Sequence, residues 1–244
     1  MLQPESGESG GKTTRSIPLR DLDRLLMVES AQITTAALAE LLRREIPVAL
    51  LDRRGRFLGG FQPAGRPHGL ARLSQYRRTQ DPGFALRMAV RIITAKVYNQ
   101  RRVLQRLNSS REASAEDRGS VRQIEVGAAL RWLDALFASI KTAGSIEELR
   151  GHEGASTARY FGCWAQFLPR EFPFERRSRR PPLNAVNACI SFGATLIYQE
   201  TVSFIHAHGL DPALGLLHAT ENGRWSLALD LMEPFRPVLI EALT

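Results

Sequence analysis

The chain has 244 residues, 43% of them apolar, enough to bury one large core or two small ones. Its 33 basic residues against 25 acidic ones give a net charge of +8 and a pI near 10.3, which points to a polyanionic partner, nucleic acid before a membrane surface, or else to genomic base composition. Two distant cysteines, Cys163 and Cys189, exclude a disulfide framework and a C-x-x-C zinc site. No apolar run reaches membrane-span length and the N-terminus is polar, so a cytoplasmic protein without membrane association is expected.

Residues 1–16 are rich in Gly, Ser and Glu and read as a disordered stub. "IPLRDLDRLLMVES" mixes apolar and charged residues at short period and predicts one or two strands. "TTAALAELLRRE" (34–45) predicts a short amphipathic helix with Thr34 as its N-cap. "IPVALL", the turn Asp52 to Gly55 and "RFLGGF" predict a hairpin. The Pro- and Gly-rich stretch 62–69 is the best linker, so a β-rich domain is placed at 17–65 and a larger all-α domain at 66–244, an α+β chain.

Within the second domain, "LARLSQYRRTQ" predicts a helix stopped at "DPG" (81–83), and residues 84–108 a long one. A polar loop follows, then a helix over 121–142. Ser145 and Glu148 fit a capping box that opens a helix through Glu153 towards Phe167. Residues 169–182 read as a loop, and an apolar helix ends at Gly209.

Two constellations carry chemistry. Asp230 and Glu233 lie three residues apart, about one helical turn, among Leu227, Ala228, Leu229, Leu231, Met232 and Phe235. Acids on a helix usually form a solvated face, but these neighbours leave little polar face. Buried acids must be paired, protonated or bound to a metal. With His218 and Glu153, one imidazole and two or three carboxylates suit a hard ion such as Mg²⁺ or Mn²⁺. The second constellation is the loop containing Arg170, Arg176, Arg177, Arg179 and Arg180. It suits a phosphate backbone without sequence specificity, or is a solvated interdomain loop. His206 and His208 read as helix-terminal residues, and His152 as a surface neighbour of Glu153 before a ligand.

"LRGHEGASTARYF", "RRPPLNAVNACISFGATLIYQE" and "GLDPALGLLHATENGRWSLALDLMEPFRP" resemble the CRISPR-associated protein one family, the integrase and endonuclease of CRISPR adaptation. "IPVALLDRRGRFLGG" and "DPGFALRMAVRIITAKVYNQRRVL" match the same family, so the resemblance covers about residues 17–240. It implies a β-rich N-terminal domain, a helical catalytic domain and a homodimer. It further implies two such dimers bridging CRISPR-associated protein two and holding double-stranded DNA, both spacer precursor and CRISPR repeat.

The family's divalent-metal ligands fall on Glu153, His218 and Glu233, with Asp230 as a further acid of the site; Mg²⁺ or Mn²⁺ is the implied ion. A spacer's 3′-hydroxyl then attacks a phosphodiester at the repeat boundary. Arg224 and the loop arginines, Arg176, Arg177, Arg179 and Arg180, are candidates for phosphate contacts.

Three departures from the family pattern carry expectations. The strands normally preceding "IPLRDLD" and the helices normally following "EPFRP" are not in this sequence, so weaker self-association, or DNA or partner binding without catalysis, is the alternative reading. Pro234 stands where an acid is common. Inside a regular helix it costs roughly 3 kcal/mol through a lost hydrogen bond and a clash with the Asp230 carbonyl.

Overall fold

A computed structural model describes residues 16–53, 57–64, 68–112, 121–178 and 181–242. The expected N-terminal stub, apart from Ser16, lies outside the described residues, as do Arg179 and Arg180.

The predicted strand segment 17–30 holds a 3₁₀ turn at Leu19–Asp21 and one strand, β1 (Leu25–Val28). It is followed by α1 (Thr35–Arg43), then β2 (Val48–Leu51) and β3 (Phe57–Phe61). β2 is central, parallel to β1 and antiparallel to β3, so α1 is the crossover of a small β-α-β unit and the expected hairpin follows it. Thr34 Oγ1 accepts the Ala37 amide (3.2 Å), the cap expected from the sequence. At the other end Glu45 takes a left-handed φ of 59°, and the Ile46 amide reaches back to the Leu41 carbonyl (2.9 Å). That closure drops Ile46 into a core with Met27, Leu41 and Val48.

The rest is helical: α2 (Gly69–Thr79), α3 (Pro82–Glu112), α4 (Val121–Thr142), α5 (Ile146–Trp164), α6 (Ala185–Ala207) and α7 (Ser226–Met232). The chain is mixed α and β, with all its strands, among the described residues, between 25 and 61. α2 stops at Thr79, just before "DPG", as expected, but the next helix opens inside that tripeptide. Proline is favoured at a first helical position, and Pro82 begins α3 with the Asp81 carboxylate accepting the Gly83 amide (2.9 Å). α3 also runs past its expected end at 108, to Glu112. Ser145 caps α5 through the Glu148 amide (3.1 Å), while the Glu148 carboxylate accepts the Gly144 amide (2.8 Å), one residue earlier than a capping box requires.

α3, α4 and α5 share one core of Ile93, Val97, Leu104, Leu133, Ile140, Leu149 and Tyr160. A π-helical turn at Pro237–Glu241 packs on it, with Trp164 Nε1 donating to the Glu241 carbonyl (2.9 Å). Pro234 avoids its expected cost. α7 ends at Met232, residues 233–235 turn, and the Pro234 carbonyl accepts Asn99 Nδ2 (2.7 Å). Arg24, in the segment before β1, pairs with Glu200 on α6 and lies over the Phe204 ring, tying the sheet to the helices.

Candidate active site

α3 carries Lys96, Asn99 and Gln100, three and four residues apart and therefore on one side of the helix. Lys96 Nζ donates to the Glu153 carboxylate on α5 and to Glu233 Oε2 (2.5 Å) just past α7. One turn along, Gln100 Nε2 donates to Thr157 Oγ1 (3.3 Å), and that hydroxyl reaches Glu153 Oε1 (3.4 Å). Arg236 Nη1 holds the other oxygen of Glu233, Oε1 (2.9 Å).

Lys96, Glu233 and Arg236 are all buried, and the Glu153 side chain is 31% exposed. A lone charge at such a depth is strongly disfavoured; two cations against two carboxylates make the arrangement tolerable. Burial works against ionisation of Glu233, but the charges of Lys96 and Arg236 outweigh it and hold the carboxyl at about 2.

A second rung lies beside the first. Asp230, fully buried, accepts the amides of Leu216 (2.6 Å) and Leu217 (3.0 Å) on Oδ2 and that of His218 (2.9 Å) on Oδ1. His218 Nδ1 lies 2.7 Å from the same Oδ1. A carboxylate oxygen there makes Nδ1 the donor, so a neutral ring keeps its lone pair on Nε2, the form that binds metals. α5 secures the loop as well: Arg150 Nη2 donates to the Leu217 carbonyl (2.7 Å), three residues before Glu153. Gly215 makes the loop's path feasible, because a Cβ there would meet the His218 carbonyl at 2.1 Å.

Glu153 and Glu233 are therefore joined through Lys96, and Asp230 engages His218. The expected convergence of Glu153, His218 and Glu233 is not reached: among the described residues no group of three or more His, Cys, Asp or Glu stands at metal-holding distance. The donor chemistry still fits a hard divalent ion. Two carboxylates already share one buried cation, and a histidine with its orienting acid hangs from the same two helices.

The family model for CRISPR associated protein Cas1 matches residues 7–244. The chain belongs to the Cas1 family. CRISPR-associated endonuclease Cas1 of Mycobacterium tuberculosis is 33% identical over 224 residues, covering 92% of this chain and 62% of the relative. The Cas1-family chain thus spans about three fifths of that relative's length. Among solved structures, a partial Cas6-RT-Cas1–Cas2 complex aligns at 28% identity and a TM-score of 0.68, over 94% of this chain and 66% of that one. A casposase bound to integration product aligns at 26% identity and a TM-score of 0.60, over 89% and 61%.

The arginines singled out from this Cas1-family sequence divide. Arg170 and Arg176 are exposed. Arg177 turns inward, donating to Asn187 Oδ1 (2.9 Å) and Ser191 Oγ (3.0 Å) at the start of α6. Arg224 closes its own loop through the Ala219 carbonyl (2.6 Å), Ser226 Oγ (3.2 Å) and Glu221 (3.0 Å). His152 stands 3.6 Å from Glu148, and His208 Nδ1 engages the Phe204 carbonyl at the end of α6. Sequence reasoning missed Lys96, Arg150 and Arg236. Lys96 did carry a signal: it is a lone cation on the buried stripe of Ile92, Ile93 and Val97.

A pH dependence follows from Glu233. Its folded value lies below the ordinary 4.5, so its stabilisation is fully present above about 4.5 and is lost as pH falls towards 2. That difference corresponds to roughly 3 kcal/mol. Thermal melts of the metal-free protein between pH 6 and 2 should show this loss. Glu233→Gln should flatten it, and an unchanged slope in that variant would show that the pair contributes nothing.

Proposed function

We propose that this Cas1-family chain is a divalent-metal-dependent DNA endonuclease and integrase of CRISPR adaptation, joining a spacer's 3′-hydroxyl to a phosphodiester of the repeat. The observation that carries the reading is the meeting of Glu153 and Glu233 on one buried cation, beside a histidine whose Nδ1 is held by Asp230. Glu153, Glu233 and the Nε2 of His218 would hold Mg²⁺ or Mn²⁺. Such an ion neutralises phosphate charge, makes the 3′-hydroxyl a better nucleophile and stabilises the leaving 3′-oxygen.

The chain's own groups have separate tasks. Asp230 keeps the His218 ring in one tautomer and pins the loop 216–218 against α7. Arg236 fixes Glu233 so that Oε2 faces Lys96 and Glu153. α3, through Lys96, Asn99 and Gln100, keeps α5 and the 233–234 turn in register. Segment 17–65 serves as the dimerisation domain and 66–244 as the catalytic one. Exposed Leu26, Val28, Leu58 and Phe61 on the strands support self-association through the first.

Double-stranded DNA, a homodimer, CRISPR-associated protein two and a cytoplasmic location belong to the same reading. It draws support from relatives named as endonuclease, as Cas1–Cas2 complex and as casposase on an integration product. Transfer of a short 3′-hydroxyl duplex into a supercoiled CRISPR plasmid tests it. Joined product with Mn²⁺ and none with chelator is expected; equal product in both, or none in either, would refute the reading.

DNA contact is assigned to the exposed arginines of the 169–182 loop. Arg170→Ser with Arg176→Ser should weaken binding of unrelated duplexes alike and lower the salt slope by about 2. Fluorescence anisotropy across a salt series measures both quantities. An unchanged slope would remove the loop from the interface.

A further inference from the structure

We propose that Lys96 is a built-in placeholder cation: its ammonium holds Glu153 and Glu233 together before a divalent ion binds, and it competes with that ion for their oxygens. The inference rests on the metal reading above and goes beyond it, because it assigns a role to a residue that is not itself a ligand.

Lys96 is 3% exposed, on the same buried stretch of α3 as Ile92, Ile93 and Val97, and its ammonium reaches two carboxylates from different elements. Arg236 already occupies Glu233 Oε1, so Oε2, 2.5 Å from Lys96 Nζ, is the oxygen left for an incoming ion. Without the ammonium, two carboxylates would face each other at a largely buried point, with only Arg236 to offset them. With it, the pair is preassembled, but any ion at coordination distance from those oxygens stands beside a positive charge in a poorly screened place. A four-carbon stem ending in one point charge can withdraw as the ion arrives, which a rigid guanidinium fork cannot do.

A lysine that only supported the fold would predict that its removal leaves metal affinity unchanged or weaker. Competition predicts the reverse. Mn²⁺ affinity should be measured by isothermal titration calorimetry on the full chain as wild type, Lys96→Met and Glu233→Gln, each verified as folded by circular dichroism. Lys96→Met is expected to melt lower than wild type without metal, yet to bind Mn²⁺ about ten-fold more tightly or better, since one repelling charge has gone. Its melting temperature should also rise more on adding Mn²⁺.

Equal or weaker Mn²⁺ binding by Lys96→Met overturns the proposal while leaving the metal reading intact, provided Glu233→Gln has lost the ion. Indistinguishable Mn²⁺ binding by all three proteins, or none by any, overturns the metal reading and Lys96's role with it. Should Lys96→Met not fold, wild type decides the matter. The chain has only three lysines, Lys12, Lys96 and Lys141, so their ¹³Cε signals can be followed separately. Saturating Mg²⁺ should shift the Lys96 signal and leave the other two in place; an unmoved Lys96 signal overturns the competition.

Discussion

Asp230→Asn is expected to cost about 4 kcal/mol of folding stability and to lower strand transfer roughly 10- to 100-fold at temperatures where the variant remains folded. The two effects have one origin. Each oxygen of Asp230 accepts two hydrogen bonds, Oδ2 from the Leu216 and Leu217 amides and Oδ1 from the amide and ring of His218. Asparagine is nearly isosteric but turns one oxygen into a donor, so two donors on one side face an N–H₂ group inside a fully buried pocket. Each buried donor left unpaired costs roughly 1–3 kcal/mol. The loop 216–218 should loosen in consequence, with the His218 ring losing its fixed tautomer.

For a domain of ordinary stability, about 4 kcal/mol is a large share of the total. Urea denaturation gives the first effect and initial rates of strand transfer the second. A variant that unfolds at the wild-type midpoint would show that these hydrogen bonds do not hold the loop.

Glu153→Gln should separate what Asp230→Asn combines. Its side chain is about a third exposed, and glutamine retains a carbonyl oxygen for the Lys96 ammonium. Because Lys96 also keeps Glu233 as an ionised partner, folding stability should fall by less than for Asp230→Asn. Strand transfer should fall by about 100-fold or more, because an amide oxygen is a poor ligand for Mg²⁺ or Mn²⁺ and supplies no charge to neutralise the ion. Activity within a few-fold of wild type would exclude Glu153 from the site, whatever the melting temperature.

Much of the local structure was legible because it depends on near neighbours. Thr34 and Ser145 each cap a helix through an amide three residues on, a pattern visible in any short window. The helix 121–142 has its predicted bounds for a similar reason: apolar residues at 126, 129, 133, 136 and 140 keep one face buried. "DPG" acts in both senses: α2 ends just before it, as expected, and Pro82 opens α3, which the sequence reading placed two residues later.

The site was half legible. The apolar company of Asp230 and Glu233 foretold their burial, and the family resemblance marked Glu153 and His218. Arg236, three residues from Glu233, and Lys96, a lone cation on a buried stripe, each left a local signal, but that Lys96 pairs with Glu233, 137 residues away, is decided only by packing of α3 against the end of the chain. The arginines show the opposite difficulty. Arg177 and Arg224 read from sequence like Arg170 and Arg176, yet the first two engage carbonyls, hydroxyls and side chains of their own neighbourhood. Composition reports charge, but not which charges the fold has already engaged.

Glu153, His218 and Glu233 are proposed to hold one divalent ion together. A crystal of the protein soaked in Mn²⁺, with anomalous diffraction at the manganese edge, measures this directly. One peak is expected at a coordination distance of roughly 2 Å from carboxylate oxygens of Glu153 and Glu233 and from His218 Nε2, with Lys96 Nζ withdrawn from both acids. A peak at other residues, or no peak in saturating Mn²⁺, would contradict it.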